Sequence, residues 1–284
     1  MRSNAYASLI QRASKQLSKA DIPDAVREAR LLMLLASKLT PAELIAREND
    51  AADPHYIAAF ESALQMRLKR RPLAHIAGQT EFYGLALKTD TRALIPRADS
   101  EIVVDLALGL LAAGAARHIA DLGAGTGALL AAILAQRPLA TGVAVEASPE
   151  AVLLARENLD LHEMTGRADI FQGSWSDWSG WSRCDLIISN PPYIRSDIIP
   201  ELAPEVRDHD PIEALDGGPD GLDAYREIIA IAATAMTSGA HLVFEIGYDQ
   251  KQAVSALLVE AGFVDLQHKQ DLGGQDRAIA ARKT

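Results

Sequence analysis

The 284-residue chain contains a single cysteine, Cys184. An internal disulfide is therefore impossible, and zinc sites built on several cysteines are excluded. Cys184 opens the apolar run before Asn190 and reads as a small buried hydrophobe. Aromatic residues make up only 5% of the chain, too few for a stacking platform on single-stranded nucleic acid. Positive charge is also scarce: 28 Lys and Arg stand against 38 Asp and Glu, a net charge of −10. A chain of that balance is no general DNA binder. Long apolar runs are missing too. The densest early one, Leu31 to Ala36, is far too short to span a bilayer, and Met1 to Ser8 lack a signal-peptide core. The expectation is a soluble cytoplasmic protein with no membrane partner, no direct DNA binding and no metal site.

What is present is ample material for a core, with 49% hydrophobic residues, over a length that suits one large or two ordinary domains. Residues 1 to about 72 read as helical throughout, with apolar residues at helical spacing in Tyr6–Leu17, Val26–Leu39 and Ile57–Leu68. Thr40-Pro41 and Asp53-Pro54 are cap and first-turn pairs. Arg67, Lys69, Arg70 and Arg71 cluster at the end of the last helix. They read first as a solvated face that favours the helix dipole, and second as a contact for RNA or an acidic partner. Gly78 to Thr89 suggest a β-hairpin. In the Pro-broken loop Leu94–Glu101, Asp99 or Ser100 is placed to cap a helix over Glu101–Leu111. Arg97, Asp99 and Glu101 can equally shape a pocket rim. From His118 onward, strand, glycine turn and helix repeat. Seven strands result, ending in the pair Phe263–Gln267 and Arg277–Ala281. The alternation predicts an α/β fold with a mostly parallel seven-stranded sheet and helices on both faces. The domain boundaries expected are 1–74 helical, 75–94 hairpin linker and 95–284 α/β. The loop 194–221 is long enough to be functional, and His209 within it reads as an exposed loop histidine.

Two stretches carry chemistry. Asp121-Leu-Gly123-Ala124-Gly125-Thr126-Gly127 joins the first strand of the α/β domain to its helix. Its glycines allow a tight turn and close approach of a ligand to the helix N-terminus. Glu146 ends the next strand, where a ribose-binding acid belongs. NAD and S-adenosylmethionine both carry such a ribose; the Gly-x-Gly-x-Gly spacing leans toward the latter. Trp175 follows the third strand, either against an adenine ring or as part of the core.

The second stretch is Asn190-Pro191-Pro192-Tyr193, at the carboxyl end of the apolar strand Asp185–Ser189. The prolines fix φ and remove two backbone donors. The bland alternative is a rigid turn without chemistry. The sharper one is a cradle for a planar NH2 group. The Asn190 side-chain oxygen and the Pro191 carbonyl accept its two hydrogens, and Tyr193 packs on its plane. Such a nitrogen is a poor nucleophile, so holding its lone pair in line with a methylsulfonium would supply most of the catalysis, with a ceiling of roughly 7–11 kcal/mol. Adenine, cytosine, glutamine and asparagine all present such a group.

Across nearly its whole length the chain resembles the HemK/PrmC-type peptide chain release factor glutamine methyltransferases. The likeness rests on the helical N-terminal region, Gly78–Gly84, Ile95-Pro96-Arg97-Ala98-Asp99-Ser100-Glu101, the Asp121–Gly127 loop and Asn190–Tyr193. It continues through Glu205-Val-Arg207 and Pro211–Arg226. The amide turn alone is shared with nucleic-acid methyltransferases; the 95–101 and 205–226 stretches are more specific. The resemblance implies a Rossmann-like S-adenosylmethionine-dependent methyltransferase domain behind a helical substrate-recognition domain. Its protein substrate would be the class 1 peptide chain release factors, modified at the glutamine of their Gly-Gly-Gln motif. It also implies that Asp121, Gly123, Ala124, Gly125, Thr126, Gly127, Glu146, Trp175 and Asn190 bind the donor, and that Asn190, Pro191, Pro192 and Tyr193 hold the glutamine. Three positions depart from the pattern. Ala98 replaces a usual proline, Glu146 a common aspartate, and Ser174 an aspartate expected beside the tryptophan. A ribosomal-protein glutamine methyltransferase, an adenine-specific nucleic-acid methyltransferase and a non-catalytic RNA adaptor are the alternatives.

Overall fold

The structure is a computed structural model, and it describes residues 4–112 and 114–284. The chain divides into two compact units: residues up to Gly78 together with Ala203–His209, and Gln79–Leu202 together with Asp210–Thr284.

The first unit is helical: α1 (Tyr6–Lys19), α2 (Ala25–Ser37), α3 (Pro41–Ala46), α4 (Pro54–Leu68) and α5 (Leu73–Ala77). Helix α3 starts on a full capping box, in which the Thr40 side chain accepts from the Glu43 amide and Glu43 reaches back to Thr40. Helix α4 starts on Asp53, which accepts from the His55 amide at 2.7 Å. Leu9, Leu17, Leu32, Met33 and Phe60 fill the space between helices. The helical region runs to Ala77, past the expected end near residue 74, because Gly78 at φ +72° supplies the left-handed residue that stops α5.

The second unit opens with the hairpin β1 (Gln79–Phe82) and β2 (Leu85–Lys88). Then follow α6 (Glu101–Leu110), β3 (His118–Leu122), α7 (Ala128–Gln136), β4 (Thr141–Glu146), α8 (Pro149–Leu161), β5 (Ala168–Gln172) and β6 (Leu186–Ser189). After the short helix α9 (Pro204–Arg207), which belongs to the helical unit, come α10 (Asp223–Ala235), β7 (His241–Glu245), α11 (Lys251–Glu260), β8 (Phe263–Gln270) and β9 (Asp276–Lys283). The seven strands lie in the order β5-β4-β3-β6-β7-β9-β8, with β9 the antiparallel neighbour of both β7 and β8.

Strict alternation along the strands covers both faces of the sheet. Ile119, Leu186, Ile188 and Val243 pack under α6 and α7. Ala120, Ile187, Leu242 and Phe244 pack under α10 and α11. Strand order reverses at β3, with β4 on one side and β6 on the other, and such reversals open a crevice at the carboxyl ends of the strands. The register places Asp121 beside Ile188 and Leu122 beside Ser189. The glycine turn and Asn190 therefore leave the sheet next to one another. The Ser189 hydroxyl, fully buried, donates to the Leu122 carbonyl at 2.7 Å and ties the two strand ends together.

Arg67 is not on a solvated face, as its position in a basic cluster suggested. Its side chain is 5% exposed and lies between two carboxylates, Glu28 and Glu205, each at 2.9 Å. Arg70 joins it on Glu205 at 3.1 Å. The charges are internal pairs that hold α9 in the helical unit. Burial raises the Glu205 carboxyl pKa, but the hydrogen bonds from Arg67 and Arg70 outweigh it and leave the group below its usual value of 4.5. A depressed carboxyl stabilises the fold above the unfolded pKa, and that contribution is lost as pH falls through the folded value. Glu205→Ala should cost about 1–3 kcal/mol at neutral pH, since Arg67 keeps Glu28. In urea titrations the gap from wild type should narrow as pH falls below 4.5 and through the depressed folded value. An unchanged midpoint at pH 7 would show that the pairs hold nothing.

Candidate active site

A cavity of about 880 Å³ lies outside the carboxyl ends of β3, β4 and β6, within the range of small-molecule and cofactor pockets. Asp121 lines it from the end of β3, Gly123, Ala124, Gly125 and Thr126 from the turn that follows, and Glu146 from the end of β4. Trp175 comes from the segment after β5, and Asn190 and Pro192 from the turn after β6. Gly127, Pro191 and Tyr193 stand outside this lining. Gly127 serves the helix instead: at φ +77° it starts α7, and a Cβ there would sit 3.5 Å from Ala155 of α8.

Glu146 ties the glycine turn to the start of α8. Its carboxylate accepts from the Gly125 amide at 2.8 Å and from the Ser148 amide at 2.9 Å. A carboxylate offers about four acceptor sites, so it can still receive hydroxyls from the cavity side. Asp121 is 1% exposed. One oxygen accepts from the Leu130 amide at 3.2 Å, and the other has no partner among the described residues. Burial pushes its pKa up to about 7; the Leu130 bond opposes this and the Glu146 charge adds to it. Trp175 packs against the core and also borders the cavity, and its buried indole N–H has no partner among the described residues. Trp178 and Trp181 are buried outright. The Ser174 hydroxyl pairs with that of Ser176 at 2.8 Å.

The cavity wall is electronegative. Asp121, Glu146, Glu150 and Glu213 line it against two arginines. Both arginines are already neutralised: Arg92 by Asp90 and Glu157, Arg97 by Asp210 at 2.6 Å. The arrangement favours a cationic ligand.

Asn190 is half-buried at the mouth of β6. Its amide nitrogen donates to the Ser100 hydroxyl at 3.4 Å, and no donor among the described residues reaches its oxygen. Tyr193 turns its hydroxyl away, donating to Glu245 at 3.2 Å. Burial, and then the Glu245 charge, push the Tyr193 pKa up. Glu245 itself is 2% exposed, and burial raises its pKa to about 6 against hydrogen bonding from Ser100 and Tyr193.

Several residues sit where the sequence pointed elsewhere or nowhere. Neither Asp99 nor Ser100 caps α6, which has no side-chain cap; Ser100 faces the site instead. Glu101 accepts from the Tyr83 amide at 2.8 Å and so holds the hairpin rather than a pocket rim. Arg97 does line the cavity. His209 is half-buried, not an exposed loop residue. Glu245 and Arg277 were not anticipated. The one readable sign of Glu245 was a carboxylate ending an otherwise apolar strand, His241-Leu-Val-Phe-Glu245.

Comparison with known proteins bears on this geometry. A family model described as PrmC N-terminal domain matches residues 8–78, and one described as Methyltransferase small domain matches residues 100–201. A release factor glutamine methyltransferase from Caulobacter vibrioides is 38% identical over 95% of this chain and 94% of its own length. One from Cereibacter sphaeroides is 38% identical over 97% of this chain and 98% of its own. The crystal structure of a methyltransferase from Pyrococcus furiosus shares the fold, with a TM-score of 0.53 and 15% identity over 71% of this chain and 90% of that one. With that identity sustained along nearly the full length of both relatives, the chain belongs to the release factor glutamine methyltransferase family.

Proposed function

We propose that this enzyme methylates the side-chain amide nitrogen of the glutamine in the Gly-Gly-Gln motif of class 1 peptide chain release factors, with S-adenosylmethionine as donor. The observation that carries the reading is the free side-chain oxygen of Asn190, held beside a glycine turn that opens an electronegative cavity. The residues present suit the donor. Glu146 has acceptor sites for a ribose diol, the Asp121 carboxylate suits a cation, and Trp175 offers a ring bordering the same space. When bound, S-adenosylmethionine supplies an electrophilic methyl group on a sulfonium.

The chain's own work is to position and polarise. A carboxamide nitrogen shares its lone pair with its carbonyl. The Asn190 oxygen accepts one of its hydrogens and the Pro191 carbonyl the other, which fixes the nitrogen and enriches its lone pair. The reaction needs no base before methyl transfer: the N–CH3 bond forms as the S–CH3 bond breaks, S-adenosylhomocysteine would be the leaving group, and the alkylated nitrogen then loses its surplus proton to solvent. Tyr193 contributes through Glu245 rather than through the cavity. The helical unit, which brings no such constellation, is assigned to recognition of the protein substrate. On this reading the enzyme works in the cytoplasm beside its substrate and makes no direct contact with DNA.

Single-turnover methylation of release factor, with ribosomal proteins, DNA and an excised Gly-Gly-Gln peptide in parallel, tests the proposal. Intact release factor should be the preferred acceptor, and the peptide a poor one. Asn190→Ala should lower the rate by about 100- to 1000-fold, as removal of one aligned polar group does elsewhere. Asn190→Asp should fall between, since it keeps an acceptor. Donor affinity should change little in either. Near-wild-type turnover by Asn190→Ala would reduce the turn to a structural feature.

Asp121 makes the donor's affinity depend on pH. A cationic ligand favours the ionised carboxylate, and the free group has its pKa near 7. Affinity measured by calorimetry should therefore rise as pH is raised from 6 to 8 and level off above, with proton release at neutral pH. Asp121→Asn should bind more weakly and without that slope. A slope of the opposite sign would place the cation elsewhere.

A further inference from the structure

Asn190 has to present its oxygen, not its nitrogen, to the substrate, and the two ends of a carboxamide have the same shape. Something other than sterics must choose. We propose that Ser100 and Glu245 are positioning residues that set this choice: the buried carboxylate takes the Ser100 proton, so Ser100 can only accept from the Asn190 NH2, and the Asn190 oxygen is left facing the cavity. The inference rests on the role of Asn190 proposed above.

Four observations carry it. Ser100 is 4% exposed at the N-terminus of α6, a usual capping position, yet it caps nothing; its hydroxyl instead accepts from the Asn190 amide nitrogen, and it lies near enough to Glu245 to act on that carboxyl. Alternation along β7 turns Glu245 to the same face as Val243, the face that α6 covers. One Glu245 oxygen accepts from Tyr193, while the buried Oε2 has no hydrogen-bond partner among the described residues and so has room to accept a serine proton. The Asn190 nitrogen lies 3.4 Å from the Ser100 hydroxyl. A hydroxyl has one proton. While that proton points at a carboxylate, a donor is the only partner the serine can accept.

The charge state of Glu245 is then part of the device. Arg277 and Asp99 act on it from β9 and the loop before α6, and Tyr193 and Tyr225 lie against it. Its carboxyl is poised near 6. Above that pH the carboxylate holds the serine proton. Below it the protonated acid can donate to Ser100, whose own proton is freed toward Asn190 and favours the reversed amide.

The test is a double-mutant cycle on single-turnover methylation, with donor affinity measured separately. Ser100→Ala should slow wild type by about tenfold with donor affinity unchanged, and Ser100→Thr should restore the rate. In the Asn190→Asp background the two side-chain oxygens are equivalent, so there is no orientation to choose. There Ser100→Ala should change the rate by less than about twofold. Glu245→Gln, nearly isosteric, should be slow at every pH and lack the fall in rate that wild type shows below about pH 6. Equal effects of Ser100→Ala in the two backgrounds, or a wild-type rate in Ser100→Ala or Glu245→Gln, would overturn the inference. If Asn190→Ala alone were silent, the proposed function would fail with it; if Asn190→Ala were damaging while Ser100→Ala and Glu245→Gln were not, the inference alone would fail.

Discussion

The parallel pairing of β3 with β6 is the constraint on which the site depends. Each strand ends in a different kind of stop. β3 runs into glycines that take left-handed φ, +70° at Gly123 and +54° at Gly125. β6 runs into Asn190 and two prolines. Because Leu122 lies opposite Ser189 in the register, and the Ser189 hydroxyl bonds the Leu122 carbonyl, neither stop can slip relative to the other. A one-residue slip would turn every strand side chain to the other face. It would take Asp121 and Asn190 out of the crevice together. The two hydrophobic layers that hold the register are thus as much a part of the chemistry as the polar residues.

Three carboxylates around this crevice are buried or half-buried, and each is treated differently. Glu146 is bound by two backbone amides and stays an acceptor. Asp121 lines a cavity whose two arginines are already paired, and one of its buried oxygens has no partner among the described residues. Glu245 is sealed below the turn, with Tyr193 and Ser100 against it and Arg277 nearby. Buried charge is costly unless compensated. The compensation for Glu245 comes from groups that also touch the Asn190 turn, and on the proposed function that for Asp121 would be completed by a cationic ligand. Stability and function draw on the same groups.

The alternation of strand and helix was legible in the sequence because each strand is a short apolar run and each turn carries glycine or proline. The place of the glycine turn, Glu146, Trp175 and Asn190 along one cavity was legible because local chemistry, a bend or a strand end, marks them. Ser100 misled because Ser before Glu101 is a capping pattern, and only the packing of α6 on β7 shows that the hydroxyl points elsewhere. Arg67 misled in the same way. A run of basic residues looks solvated until Glu28 and Glu205, 39 and 138 residues away in sequence, are seen to enclose it. Glu245 is one carboxylate at the end of one strand. Its importance comes from neighbours on three other elements, which no local pattern reveals.

The central claim is that the Asn190 oxygen and the Pro191 carbonyl hold the two hydrogens of a glutamine amide. A crystal structure of the enzyme with S-adenosylhomocysteine and a release factor tests it most directly. The account predicts the glutamine side-chain nitrogen within hydrogen-bond distance of both oxygens, about 2.7–3.2 Å, with the Asn190 NH2 on Ser100. A glutamine held by its carbonyl against the Asn190 NH2, or lying away from the turn, would contradict it.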